Sequence, residues 1–128
     1  MARALGIGGV FFKSPDPKDL VKWYRDVLGV PFDDESGGNF PVGDAPTGSF
    51  TVWAPFRADT DYFAPASSPF MINLMVDDLD GALEQVEAGG ATIVGDVESY
   101  DFGRFGWFLD PDGNKVELWQ PIVAASED

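Results

Sequence analysis

Two seven-residue stretches of this chain coincide when one is slid 66 positions along the other. Phe50-Thr51-Val52-Trp53-Ala54-Pro55-Phe56 falls on Val116-Glu117-Leu118-Trp119-Gln120-Pro121-Ile122, so Trp53 meets Trp119 and Pro55 meets Pro121. Upstream, an offset of 62 lays Asp16 on Asp78, the two strand-to-helix corners, and Gly9 on Met71. Hairpin loops absorb the difference of four residues. In a repeat of this length each copy is one supersecondary unit, which buries its apolar face only against a neighbour. The expected fold class is therefore α+β, with two βαβββ modules forming a cupped sheet and a helix on the convex side of each.

Local signals place the elements. Ile7, Val10, Phe11 and Phe12 mark a strand over Ile7 to Lys13. Asp16 then stands as N-cap before Pro17, and Leu20, Val21, Trp23, Tyr24, Val27 and Leu28 recur at helical spacing until Gly29 stops the helix. A strand pair is expected over Val30 to Glu35 and Asn39 to Val42, turning at Ser36-Gly37-Gly38, and a further strand over Phe50 to Phe56. Arg57 to Pro69, rich in Ala, Pro, Ser and Asp, reads as a linker. The pattern restarts with a strand over Phe70 to Val76. Asp77 or Asp78 caps a helix through Leu79, Ala82, Leu83 and Val86, which ends at Gly89-Gly90. Strands follow over Ala91 to Val97, Arg104 to Leu109 and Lys115 to Gln120, the last two joined by the turn Asp110-Pro111-Asp112-Gly113-Asn114. One domain over 1–128 is expected: module one at about 5–57, a linker at about 58–69, module two at about 70–122, and a small polar tail that frays.

Composition removes several functions. The formal charge is −14, from 22 acids against 8 bases. No basic footprint is available for nucleic acid, and an anionic membrane surface would repel the chain. A cationic ligand would be attracted, although an acidic surface also serves plain solubility. The chain has no histidine and no cysteine. The commonest general base, the commonest transition-metal ligand, thiol nucleophiles and disulfides are thereby excluded. Lack of cysteine fits a cytoplasmic protein. Residues Met1 to Gly9 have no apolar h-region, so they do not read as a signal peptide, and no apolar run is long enough to span a bilayer.

Three motifs carry a family resemblance: Trp23-Tyr24-Arg25-Asp26-Val27-Leu28-Gly29 in the first helix, Val76-Asp77-Asp78-Leu79-Asp80 at the second module's corner, and Asp110 through Trp119 in the closing hairpin. In this order and spacing, the chain resembles the vicinal-oxygen-chelate superfamily of glyoxalases, bleomycin-resistance proteins and dioxygenases over nearly its whole length. The resemblance implies a divalent metal in the cup, held by the first and last strands of each module. By motif position those sites fall on Gly9, Thr51, Met71 and Glu117. Glycine has no ligand atom, a thioether is too soft for the ions this family uses, and one carboxylate with one hydroxyl is too little. The expectation is no metal and no cofactor. The resemblance also implies a homodimer.

Strand alternation says which side chains face the cup. If Glu117 points in, so do Lys115 and Trp119, while Val116 and Leu118 face the helix. The same parity turns Thr51, Trp53, Met71, Asn73, Met75, Gly9 and Phe11 inward, and Trp107 and Phe105 sit beside Glu117 and Trp119. Candidate ligand-binding residues are therefore Phe11, Thr51, Trp53, Met71, Asn73, Met75, Trp107, Glu117 and Trp119, with Glu117 the candidate catalytic group. Each has a plainer reading. The tryptophans could be packing residues related by the repeat, the methionines could fill core gaps, and Glu117 could pair with Lys115 or Arg104. Asp59 to Phe63 and Tyr100 to Phe105 could be lips over the pocket or plain connectors. The leading functional expectation is a small-molecule-binding protein without the usual metal site, sequestering an aromatic or cationic compound. The alternative is a metal-independent isomerase or lyase using Glu117 as acid or base. A loop-assisted Mg²⁺ or Mn²⁺ site and a vestigial pairing module are further readings.

Overall fold

The computed structural model describes residues 1–34 and 37–122. Glu35 and Ser36, which belong to the expected strand and turn, and the tail at 123–128 lie outside the described residues. The elements run α1 (Pro17–Leu28), β1 (Phe32–Asp34), β2 (Gly37–Gly38), a 3₁₀ turn (Val42–Asp44), β3 (Ile72–Met75), α2 (Leu79–Ala88), β4 (Thr92–Tyr100), β5 (Gly103–Leu109) and β6 (Lys115–Pro121).

Both helices begin and end where their caps dictate. Asp16 accepts the backbone N–H of Asp19 at 3.2 Å, and Asp78 accepts that of Gly81 at 3.1 Å. Each side chain thus satisfies one of the donors a helix start leaves open. Gly29 ends α1 in the left-handed region at φ 67°, where a side chain would be strained. Module two forms one four-stranded sheet in the order β3-β6-β5-β4. β3 runs parallel to β6, the other pairs antiparallel, and α2 is the crossover between β3 and β4.

One face of this sheet is the core. Leu79, Ala82 and Val86 of α2 meet Phe108, Val116 and Leu118 of β5 and β6, and all six are buried. α1 packs on the same cluster through Trp23, Tyr24, Val27 and Leu28. Its docking is directional. The Trp23 indole donates to the Gly89 carbonyl at 2.8 Å, the Gln85 amide donates to the Val27 carbonyl at 2.8 Å, and the Tyr24 hydroxyl donates to Asp110 at 2.8 Å.

The expected α+β class holds, and the two-module organisation is seen in part, because that docking makes the modules unequal. The expected strands Ile7 to Lys13 and Phe50 to Phe56 carry no sheet pairing. Val116 and Leu118 are 1% and 0% exposed, but their repeat equivalents Phe50 and Val52 are 63% and 62% exposed. The physical reason is that α1 spends its apolar face on the core of module two, so no helix covers the strands of module one. The strand pair after α1 is also shorter than expected: Pro31 and Pro41 have no N–H to give a ladder, and Val42–Asp44 turns instead. Tyr100 to Phe105 is the tight β4–β5 hairpin, with Tyr100 paired to Gly103. Among the described residues, no helix is long and apolar enough to cross a membrane.

Candidate functional site

The face of the sheet opposite the core carries Lys115, Glu117 and Trp119, because side chains alternate along β6 while Val116 and Leu118 fill the core. Register brings their neighbours alongside: Trp107 and Phe105 of β5 stand opposite Glu117 and Trp119, and Asn73 and Met75 of β3 stand beside the same pair.

Glu117 is the centre. One carboxylate oxygen accepts the Asn73 amide at 2.6 Å. The other accepts the Trp107 indole N–H at 2.9 Å and the Tyr62 hydroxyl at 2.5 Å. The Tyr62 hydroxyl is held well above the ordinary tyrosine range, first by burial and then by its hydrogen bond to Glu117 and the charge there. It therefore stays a proton donor at neutral pH. Lys115 is buried and donates to the Tyr62 carbonyl at 2.6 Å. Its ammonium also stands 5.0 Å from the centre of the Tyr62 ring and 5.8 Å from that of Trp107, within reach of a cation–π attraction. Arg104 turns away to pair with Asp80 at 3.0 Å.

Further along the same face an aromatic wall continues. Phe105 stacks on Trp119 with ring planes 4° apart, Phe50 tilts onto Trp119 at 5.7 Å, and the Trp119 indole donates to the Phe102 carbonyl at 3.3 Å. Trp107 and Trp119 are themselves buried, at 6% and 8% exposure, beneath Tyr62 and Phe50, so the arrangement is an aromatic cluster with a carboxylate, an amide and an ammonium converging at one end.

The structure thus gathers Asn73, Met75, Trp107, Glu117 and Trp119 on one face, with Met71 half-buried just before β3. Phe11, at 95% exposure, Trp53, at 78%, and Thr51 are not gathered; they lie on the unpaired segments of module one. In the second of these segments it is Phe50, out of phase with Thr51 and Trp53, that meets Trp119. Tyr62 was legible only as part of a candidate lip. Its aromatic neighbour Phe63, in a linker otherwise poor in large apolar residues, is the signal that this linker has something to pack against.

The metal implied by the family resemblance meets an unsuitable donor set. Both oxygens of Glu117 already accept hydrogen bonds, and Gly9, Thr51 and Met71 add at most a hydroxyl and a thioether. A hard divalent ion needs several oxygen ligands, which these four positions do not supply. Among the described residues, no three acidic side chains cluster as a metal site would require.

With this geometry in view, residues 9–119 match the glyoxalase-like domain family. No curated protein matches the chain. Among solved structures, a member of the glyoxalase/bleomycin resistance protein/dioxygenase superfamily from Sphaerobacter thermophilus DSM 20745 is 23% identical, with 92% of this chain and 98% of that one covered and a TM-score of 0.53. TnmS3, an antibiotic binding protein from Streptomyces sp. CB03234, is 23% identical, covering 93% of this chain and all (100%) of its own at a TM-score of 0.52. Hypothetical protein SA1046 from S. aureus, 21% identical, is similar over 41% of this chain and 43% of that one at a TM-score of 0.38. Likeness at these identities establishes the fold alone.

Proposed function

The chain belongs to the glyoxalase-like domain family, and from that premise we propose that it binds a small planar aromatic or cationic molecule on the sheet face around Glu117, without a metal. The observation that carries this reading is the convergence of Glu117, Asn73 and Lys115 at the end of a wall made by Trp107, Trp119 and Phe105. Apolar walls with a few placed polar groups are what a small-molecule site needs. Support also comes from TnmS3, a protein of similar fold that binds an antibiotic. In this reading Asn73, Met75, Trp107, Glu117 and Trp119 contact the ligand.

A second reading has Glu117 as acid or base in a metal-independent isomerase or lyase. The Tyr62 hydroxyl 2.5 Å from the carboxylate favours it, since it shows that Glu117 can take a hydrogen bond from a hydroxyl brought to this face. We also propose that the protein is a homodimer, a second copy covering the apolar segments that α1 leaves bare.

The test begins with elemental analysis of protein purified without a histidine tag, after exposure to Zn²⁺, Ni²⁺, Mn²⁺, Fe²⁺ and Mg²⁺. The expected result is no stoichiometric metal. A panel of planar and cationic aromatics is then titrated while tryptophan fluorescence is followed. Saturable quenching that is weakened by Trp107→Phe and Glu117→Gln is expected. About one metal per chain, lost in Glu117→Gln, would overturn the metal-free reading, and silence across the whole panel would overturn the binding reading.

A further inference from the structure

We infer that Tyr62 occupies the ligand's place in this site, and that the ligand is a planar aromatic bearing a neutral hydroxyl which displaces it. The inference rests on the binding reading above and names the ligand's class.

Tyr62 does not belong to the sheet. It comes from the linker and reaches onto the sheet face as a separate ring. Every contact made to that ring is one that would recognise a phenol from outside. Glu117 accepts its hydroxyl, Trp107 meets it edge to face at 6.3 Å and 89°, Phe63 meets it edge to face at 6.4 Å, Lys115 stands over it, and Phe56 stacks on it at 5.7 Å and 13°. A carboxylate acceptor, a cation over the ring and three aromatic neighbours together describe a phenol's surroundings.

The ring is partly open to solvent. Tyr62 is 36% exposed, so solvent and solutes reach it. Its segment is a run of turns, closed by the Ala64 N–H on the Asp61 carbonyl and the Ala66 N–H on the Phe63 carbonyl, with no ladder to the sheet. The hydrogen bonds tying it to β6 and its turn come from side chains: Tyr62 to Glu117, Lys115 to the Tyr62 carbonyl, and Ser68 to Asn114. An incoming ring can therefore replace Tyr62 without dismantling the sheet.

The chemistry also limits which ring succeeds. A ring without a hydroxyl would leave Glu117 short of a donor, and a half-buried carboxylate missing a hydrogen bond is costly. A ligand that is already anionic meets a carboxylate and a chain of net charge −14. A cationic donor would meet the Lys115 ammonium, 5.0 Å from the centre of the ring it would replace; what remains is a neutral hydroxyl on an aromatic ring, the same groups that Tyr62 presents.

Two probes isolate these points: p-cresol, which is the tyrosine side chain without its backbone, and toluene, the same ring without the hydroxyl. Calorimetric titration of wild type and Tyr62→Ala is expected to give p-cresol binding about tenfold or more tighter in the variant, and p-cresol about tenfold or more tighter than toluene there, since a hydrogen bond to a charged group is at stake. Tyr62→Phe, which keeps the ring and is the milder change for folding, is expected to fall between. Equal p-cresol affinity in all three proteins would overturn the displacement. Equal affinity for p-cresol and toluene in the variants would overturn the hydroxyl requirement. Either result leaves the aromatic site standing, whereas no binding of either probe to any of the proteins would bring down the site reading as well.

Discussion

Asp110 gathers four donors. The N–H groups of Asp112 and Asn114 each reach one oxygen at 2.9 Å, while the Tyr24 hydroxyl at 2.8 Å and the Asn114 amide at 3.4 Å reach the other. The turn residues announce the first part of this arrangement, because an aspartate starting Asp-Pro-Asp-Gly-Asn binds its own backbone. The Tyr24 bond was not legible: it joins residues 86 apart, and helical periodicity says only that Tyr24 faces a core. Its consequence is a pH dependence. Burial, then the charge and hydrogen bond of Asp110, then the charge of Asp112, hold the Tyr24 hydroxyl far above its ordinary range. The unfolded chain releases that proton near pH 10 and the folded chain keeps it, so above that pH the folded state binds more protons and stability falls as pH rises. The slope for one such group reaches about 1.4 kcal/mol per pH unit. Tyr24→Phe is expected to lose about 1.5–3 kcal/mol at neutral pH, as for a hydrogen bond to a charged group, and to show a shallower decline above pH 10. Urea unfolding across that range measures both, and an unchanged alkaline slope would count against the assignment. Tyr62 shifts in the same direction, so the slope shrinks without vanishing.

The two helices and the strands of module two were readable to within a few residues. Caps at Asp16 and Asp78, the stop at Gly29 and the last two strands all come from local chemistry, which needs no distant partner. The register across β5 and β6 followed from alternation and a tight turn, and it put Trp107 beside Glu117. The strands of module one have the same apolar content and were not readable, since a strand exists only when another strand or a helix takes its groups and its face. Leu118 and Val52 make the contrast measurable. They are repeat equivalents, but the first is fully buried under α2 and the second is open. Leu118→Ala is expected to cost about 2–5 kcal/mol through transfer and cavity terms. Val52→Ala, measured at dilutions where the chain is alone, is expected to change stability by less than about 0.5 kcal/mol. Chemical denaturation of the two variants decides, and equal losses would mean that module one folds onto a core of its own.

On the scale of the whole molecule, the bare apolar residues lie mainly in module one: Leu5, Phe11, Phe40, Val42, Trp53 and Phe56 among them are exposed. A lone soluble chain seldom shows a continuous apolar patch beyond a few hundred Å². The proposed homodimer covers this surface, and its strength should depend on salt in an uncommon sense. Two copies of a chain with net charge −14 repel each other, so screening tightens an association driven by apolar contact. Light scattering is expected to report twice 13.9 kDa, more completely at higher ionic strength, with Phe11→Glu or Trp53→Glu shifting the mass to a single chain. A wild-type monomer at every concentration would end the proposal. By itself, the sequence determined the helices, their caps, the closing hairpin and the parity that turns Glu117, Trp119 and Trp107 to one face, because each depends on neighbours a few residues away. The tertiary structure alone decided that α1 covers the core of module two, that Phe11, Thr51 and Trp53 lie exposed on segments without sheet pairing, and that Tyr62 reaches Glu117. Those outcomes depend on which of several apolar faces meet, and a competition between surfaces far apart in the chain is not written in the spacing of residues along it.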